Sequence, residues 1–125
     1  GRLLHALHGR ACAWHPSKSL IAVATTSSNE TVIWDSEKWS IHTRIPAPAS
    51  AIRWSLDGDG LYLSSYIHPH LAYYRIHGPG AYQAVAQWNG PHGVALLEVA
   101  QESNAWVYRD YRTLESFSLQ GNQLQ

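Results

Sequence analysis

The stretch LIAVATTSSNETVIWD, residues 20–35, decides the fold class of this protein. It contains two short apolar runs, at 20–25 and 31–34, in which β-branched residues are frequent. The polar segment 27–30 separates the two runs and supplies residues that favour a turn. Because short β-branched and aromatic runs bounded by turn residues are typical of strands, the stretch predicts a β-hairpin.

The same rhythm continues towards the C-terminus. Strands are predicted within 41–45, 51–54, 61–65 and 71–76, and further short runs follow at 82–88, 93–99, 105–108 and 114–119. No window of about a dozen residues keeps the apolar spacing of an amphipathic helix. The connecting segments are also too short for the crossover helices that parallel strands need. The sequence therefore predicts an all-β fold of antiparallel strands, with helix confined to a turn or two.

An internal repeat groups these strands into sets. Trp14 and Trp54 each end a predicted strand and lie in similar local sequences. The interval that separates these two tryptophans also separates Trp34 from Tyr74, which end later strands. Because two pairs of aromatic residues are separated by the same number of residues, a structural unit recurs along the chain.

A third, shorter copy of the unit is indicated by a second common interval, which separates Trp88 from Trp54 and Tyr108 from Tyr74. A period of about 40 residues with about four strands is the signature of β-propeller blades. One blade cannot bury both faces of its sheet, so neighbouring blades stack and cover them. The expected fold is a partial propeller of four-stranded antiparallel blades.

Several of these residues carry a family resemblance. Trp34-Asp35 follows the run Thr31-Val32-Ile33 and resembles the dipeptide that gives WD40 repeats their name. Three other segments resemble the outer strand before a WD40 blade or the segments that lead into a strand pair: 1–9, 13–16 and 53–58. The chain thus resembles the WD40-repeat β-propeller family, more closely over 1–76 than over 77–125.

The resemblance implies a division of the chain into blades at 10–45, 46–86 and 87–125, with 1–9 as the outer strand of a preceding blade. It also implies a set of structural blade positions, which comprises Trp14, Thr25, Trp34, Asp35, Trp54 and Tyr74. The later repeats depart from the family, because Tyr74-Arg75 and Tyr108-Arg109 stand where the dipeptide is expected.

The repeat also predicts which side chains form the core. Three tryptophans are expected to be largely buried, namely Trp14, Trp34 and Trp54. Seven aliphatic side chains are expected in the same core: Ile21, Val23, Val32, Ile33, Ile52, Leu61 and Leu63.

The overall charge excludes some classes of partner. The chain has 9 Lys and Arg against 9 Asp and Glu, a formal net charge of zero and a sequence pI of about 7.3. Nothing in this balance indicates binding to nucleic acid, and no apolar run is long enough for membrane insertion. Cys12 is the single cysteine and cannot form an internal disulfide, which favours an intracellular location in an undetermined compartment.

The residue types that could bind a metal or catalyse a reaction do not form a recognisable site in the sequence. His68 and His70, with His77 nearby, lack the further ligands that zinc needs, so a polar loop is expected there. The run Asp57-Gly58-Asp59-Gly60 predicts a hairpin turn, since both residue types tolerate positive φ. We therefore expect no metal, no cofactor and no catalytic residue.

These observations favour a non-catalytic WD40-like scaffold that mediates protein–protein interaction within a larger assembly. The expected partners are proteins, other subunits of a complex, or remaining propeller blades from a longer chain or from another copy. The alternative is a module that binds a glycan or small molecule through an aromatic-rich face. The candidate contact residues for either function are Trp39, Tyr66, His68, His70, Tyr73 and His77.

Overall fold

The computed structural model describes residues 11–24, 29–65, 71–89, 96–101, 104–108, 114–120 and 123–124. The strands are β1 Ala11–Trp14, β2 Leu20–Ala24, β3 Thr31–Asp35, β4 Ser40–Ile45, β5 Ala51–Trp54, β6 Gly60–Ser64, β7 Leu71–Gly78, β8 Ala81–Trp88, β9 Leu96–Gln101, β10 Asn104–Tyr108, β11 Leu114–Gln120 and β12 Gln123–Leu124. No helix occurs among these described residues, and hence none that could cross a membrane. The predicted all-β fold is confirmed.

Consecutive strands pair antiparallel in sets of four. We call β1–β4 blade A, β5–β8 blade B and β9–β12 blade C. Blade A is a sheet of its own, whereas β12 pairs in parallel with β8 where Gln123 lies opposite Gln87. Blades B and C are therefore joined through β8 and β12. We call the last strand of each blade (β4, β8 and β12) its outer strand and the first (β1, β5 and β9) its inner strand.

The turn predicted at Asp57-Gly58-Asp59-Gly60 is confirmed, and it connects β5 to β6. The Asp57 carboxylate accepts a hydrogen bond from the Ser55 hydroxyl at 2.6 Å and one from the Asp59 backbone N–H at 2.9 Å. The Ser55 hydrogen bond is the main cause that lowers the pKa of Asp57. Gly58 has a φ of 79°, which a residue with a Cβ adopts only at a cost.

Blades A and B pack face to face around the main core, which we call the A/B core. Blade A contributes small residues at its centre, and Ala22 and Ala24 are both 0% exposed. Blade B contributes larger side chains from β5 and β6. The buried members are Leu20, Ala22, Ala24, Ile33, Ile45, Ala47, Ala49, Ile52, Trp54, Leu61 and Leu63.

The opposite face of blade B forms a second core. Its buried members are Ala51, Tyr62, Leu71, Tyr73, Ala86 and Leu124. The Tyr62 and Tyr73 rings lie with centroids 4.7 Å apart. Burial raises the pKa of Tyr62 to about 12, since it disfavours the charged phenolate. With both faces of its sheet packed, blade B is an interior blade of the stack.

The predicted core is confirmed in part. Trp54 and four of the predicted aliphatic residues, Ile33, Ile52, Leu61 and Leu63, belong to the A/B core. Ile21, Val23 and Val32 are buried too, but strand alternation places them on the other face of blade A. Trp34 is only half-buried.

The prediction that Trp14 is buried is wrong, because its side chain is 60% exposed. In β1 the side chains alternate, so Ala11 and Ala13 face the A/B core while Cys12 and Trp14 face away from it. Trp54 ends β5 in the same way but is only 7% exposed. The difference arises because blade B packs its Trp54 side against blade A.

This contrast predicts unequal effects of two matched truncations. We expect Trp54→Ala to lower the free energy of unfolding by about 3–5 kcal/mol, the usual loss for a buried aromatic side chain. We expect Trp14→Ala to change it by no more than about 0.5 kcal/mol, as for most exposed positions. Urea denaturation followed by circular dichroism measures both. Equal losses for the two variants would contradict the placement of blades A and B.

Candidate interaction surface

A tryptophan ties the inner strands of blades A and B together. The Trp54 indole Nε1–H donates a hydrogen bond to the Ala13 carbonyl at 2.9 Å. The Trp54 ring meets the His15 ring edge-on, with centroids 4.7 Å apart. Trp54 thus combines a large buried apolar surface with a satisfied polar atom, as buried tryptophans require.

His15 links the two turns that follow these inner strands. Its Nδ1 accepts hydrogen bonds from the backbone N–H groups of Ser17 at 3.0 Å and Lys18 at 2.8 Å. The proton must therefore sit on Nε2, which donates to the Gly58 carbonyl at 2.9 Å. The buried imidazole shapes the turn of blade A and holds the turn of blade B. We call Ala13, His15, Trp54 and Gly58 the inter-blade latch.

A second link lies at the outer strand of blade A. The Gly80 backbone N–H, in the β7–β8 turn of blade B, donates to the His42 carbonyl at 2.7 Å and to the Thr43 hydroxyl at 3.3 Å. Burial lowers the pKa of His42, while the negative charge of Asp35 raises it to a smaller extent. The two blades are therefore fastened at both their inner and outer strands.

A polar cleft of about 560 Å³ opens between these two links. Its ionisable lining residues are His15, Lys18, Asp35, Glu37, His42, Asp59 and His77. Several of these groups already form hydrogen bonds within the blades. Asp35 accepts from the backbone N–H groups of Glu37 and Lys38, and His77 pairs with Gln83 across its own hairpin at 3.1 Å. Across the described part of the chain, no three His, Cys, Asp or Glu side chains are grouped to hold a metal.

Large apolar side chains are exposed at four described positions. The exposed fractions are 60% for Trp14, 54% for Leu56, 41% for Ile41 and 37% for Tyr82. Trp14 and Leu56 line a common groove of about 350 Å³ at the ends of β1 and β5, which we call the Trp14–Leu56 groove. Its remaining lining residues are Cys12, Ala13, Pro16, Arg53, Trp54 and Ser55.

The predicted structural blade positions have distinct surroundings. Trp34 lies opposite Ile21 and Ile41 in the sheet of blade A. Asp35 serves the β3–β4 turn, and Tyr74 packs against both the A/B core and the Tyr82 ring. Burial raises the pKa of Tyr74. Trp14 and Trp54 lie as described above, and Thr25 lies outside the described residues.

The candidate contact residues do not form one surface. Tyr73 is 5% exposed and packs in the second core, so it is not at the surface where a partner contact requires it. Trp39 is half-buried in the β3–β4 turn, and His77 is exposed beside the polar cleft. Three of the candidates, Tyr66, His68 and His70, lie outside the described residues.

Sequence reasoning missed the role of His15. The signal was present, because His15-Pro16 follows the strand-ending Trp14, while the second repeat has Ser55-Leu56 at these positions. A histidine in only one copy of a repeat points to a contact made by that copy alone. The Gly58 carbonyl as its acceptor was not predictable, since it belongs to the neighbouring blade.

Together, the stacked four-stranded sheets define the fold as WD40-like β-propeller blades. No protein-family model and no curated protein matches the sequence. Among solved structures, a chain of the mitotic checkpoint complex is similar with a TM-score of 0.75 and 13% identity, over 86% of this chain and 35% of that one. U3-55K is similar with a TM-score of 0.52 and 14% identity, over 94% of this chain and 54% of that one.

Both solved structures support the fold alone, because their sequence identities to this chain are low. This chain spans about a third of the checkpoint-complex chain and about half of U3-55K. The predicted class, a WD40-like β-propeller, is confirmed at the level of the fold.

The latch predicts a difference between two glycines of similar conformation. Gly58 and Gly80 have φ values of 79° and 74°, but only a Cβ on Gly58 would overlap the His15 ring, at 2.5 Å from Cε1. We expect Gly80→Ala to cost about 1–2 kcal/mol of unfolding free energy from backbone strain, and Gly58→Ala to cost clearly more. In a His15→Ala background the excess cost of Gly58→Ala should disappear. Denaturant titration of the four variants measures this, and an excess that persists without His15 would contradict the latch.

Proposed function

We propose that this chain is a non-catalytic WD40-like scaffold that binds other proteins. The observation that carries the proposal is the Trp14–Leu56 groove, where a 60% exposed tryptophan and a 54% exposed leucine lie together. Large apolar side chains exposed in a common groove mark interaction sites on proteins. Burial of this surface in a complex would remove apolar area from water, at roughly 25 cal/mol per Å².

The composition of the groove suits a protein partner. Trp14 and Arg53 both line the groove, and Trp and Arg are among the residues that contribute most to binding energy in protein interfaces. The groove lies at the ends of β1 and β5, which belong to two different blades and are joined by the hydrogen bonds of the inter-blade latch. A rigid support lowers the entropy lost when a partner binds.

The two similar solved structures show the fold, and one of them comes from the kind of assembly in which a scaffold takes part. One of them is a chain of the mitotic checkpoint complex and therefore belongs to a multi-protein assembly. In the polar cleft, hydrogen bonds within the blades already engage Oδ1 of Asp35, both ring nitrogens of His15 and Nε2 of His77.

The alternative, a glycan or small-molecule site on an aromatic-rich face, gains no specific support from the described residues. Tyr73 is buried and offers no open ring face of the kind that stacks on a sugar, and Trp39 is half-buried. Of the candidate polar contacts, His77 is described, and it pairs with Gln83. A glycan array probed with the same protein tests this alternative directly.

The proposed function predicts that partner capture depends on the groove. The immobilised chain is incubated with cell extract, and captured proteins are quantified by mass spectrometry. We expect Trp14→Glu and Leu56→Glu each to reduce capture of the specific partners at least tenfold, because a charge at either position opposes burial. Ile41→Glu is the matched control, since Ile41 is exposed but outside the groove.

Circular dichroism spectra of the three variants must match that of the parent chain. Capture that is unchanged by both groove variants, or lost equally with Ile41→Glu, would contradict a role for the groove. Binding on the glycan array without protein capture would favour the alternative function.

A further inference from the structure

The outer strand of blade B, β8, is only partly paired on the side that faces away from β7. β8 pairs with β7 along its length, whereas β12 is in register with it at one residue pair, Gln123 and Gln87. Among the described strands, none pairs with 81–85 on this side, and the first four of these residues are exposed. We call 81–85 the open β8 edge. Its backbone N–H and C=O groups that point away from β7 can therefore bond to a further strand.

The open β8 edge lacks two features that usually keep sheet edges from pairing, namely charged side chains and proline. The whole of β8 has the sequence AYQAVAQW and contains neither. β4, the outer strand of blade A, differs, because it carries Arg44 and its His42 carbonyl already accepts a hydrogen bond from the Gly80 N–H. The pairing of β12 near the end of β8 shows that this strand accepts a neighbour on its outer side.

A shallow hollow lies beside the open β8 edge, which ends at Val85, the extra residue of a β-bulge. The hollow has a volume of about 280 Å³ and is lined by Ala72, Tyr74, Ala84, Val85, Ala86 and Gln87. None of these side chains is charged, and the three alanines leave space that larger residues would fill. The Tyr74 ring packs edge-on against the Tyr82 ring, with centroids 6.0 Å apart. The hollow therefore suits one aliphatic side chain.

We propose that the open β8 edge binds an extended segment of another protein by strand addition, with an aliphatic side chain of that segment in the hollow. In strand addition, backbone hydrogen bonds supply affinity and pockets for alternate side chains supply specificity. The segment is uncharged where it passes the edge, since neither β8 nor the hollow offers a charge to pair with. This surface is separate from the proposed function, because the hollow and the Trp14–Leu56 groove share no lining residue.

Synthetic peptides test the proposal on the full chain of residues 1–125. The probe is an acetylated and amidated peptide of about seven residues, with Leu at the centre and Thr elsewhere, because Thr favours extended structure. A second peptide has Gly in place of the Leu. Fluorescence anisotropy of the labelled peptides measures both dissociation constants. We expect the Leu peptide to bind about tenfold more tightly than the Gly peptide, since its side chain enters the hollow.

Two protein variants show whether the hollow causes this preference. Ala84→Leu fills the hollow, so it should remove the preference for the Leu peptide. Ser40→Leu is the matched control, since it adds the same side chain at an exposed position of β4, outside the hollow. Ser40→Leu should keep the preference, and circular dichroism compares the fold of both variants with that of the parent chain.

Methylation of the peptide backbone distinguishes strand addition from other apolar binding, and it needs no protein variant. Successive residues of a strand direct their N–H groups to opposite sides, so those of alternate residues face the sheet. One peptide carries N-methyl groups on the central Leu and on every second residue from it, and the other carries them on the residues between. We expect one pattern to abolish binding to the parent chain and the other to leave it nearly unchanged.

No binding of the Leu peptide would overturn the proposal, as would equal losses with the two methylation patterns or a preference for Leu that persists in Ala84→Leu. Self-association of the chain in sedimentation that Ala84→Leu abolishes would identify a second copy as the occupant, and would also overturn it. Peptide binding is measured without cell extract and away from the Trp14–Leu56 groove. Its failure therefore leaves the proposed function standing, and a failure of partner capture leaves the strand-addition surface supported.

Discussion

The hydrogen bonds and ring contact that join His15, Trp54 and Gly58 are the constraint on which the arrangement of blades A and B depends. Each blade is a four-stranded sheet with an apolar side that it cannot bury by itself. The latch sets the position of blade B on blade A at the inner strands, where Trp54 donates to Ala13 and His15 donates to Gly58. The hydrogen bonds of Gly80 to His42 and Thr43 repeat the fastening at the outer strand. These hydrogen bonds at the inner and outer strands fix the orientation of blade B relative to blade A. The larger side chains of blade B then pack against the Ala-rich centre of blade A.

This packing is asymmetric, and the asymmetry has consequences for function. Blade A presents Ala22 and Ala24 to its neighbour, and blade B presents Ile52, Trp54 and Leu61. The small Ala22 and Ala24 at the centre of blade A leave room for these larger side chains, while Leu20, Ile33 and Ile45 of blade A complete the same core. On the opposite face of blade A, the side chains of Cys12 and Trp14 in β1 are exposed. Exposed apolar surface on a rigid support is the physical basis for the proposed role in protein binding.

The polar groups near the latch form hydrogen bonds that stabilise the turns and the contact between the blades. The imidazole of His15 is buried with both nitrogens in hydrogen bonds, and the carboxylates of Asp35 and Asp57 organise their own turns. A general acid or base needs a proton or a lone pair that is accessible to the substrate. In the polar cleft of about 560 Å³, hydrogen bonds within the blades engage Oδ1 of Asp35 and both ring nitrogens of His15.

The sequence by itself determined the fold class, because strands and turns depend on local composition and alternation. Short β-branched runs, the Asp57-Gly58 turn and the recurrence of Trp14 as Trp54 predicted all-β blades, and the structure agrees. Burial could not be derived in this way. Trp14 and Trp54 end equivalent strands in similar local sequences, yet one is 60% exposed and the other 7%. Only the tertiary structure decided between them, since the exposure of a strand residue depends on the neighbouring blade that packs against it and not on the residues beside it in the chain.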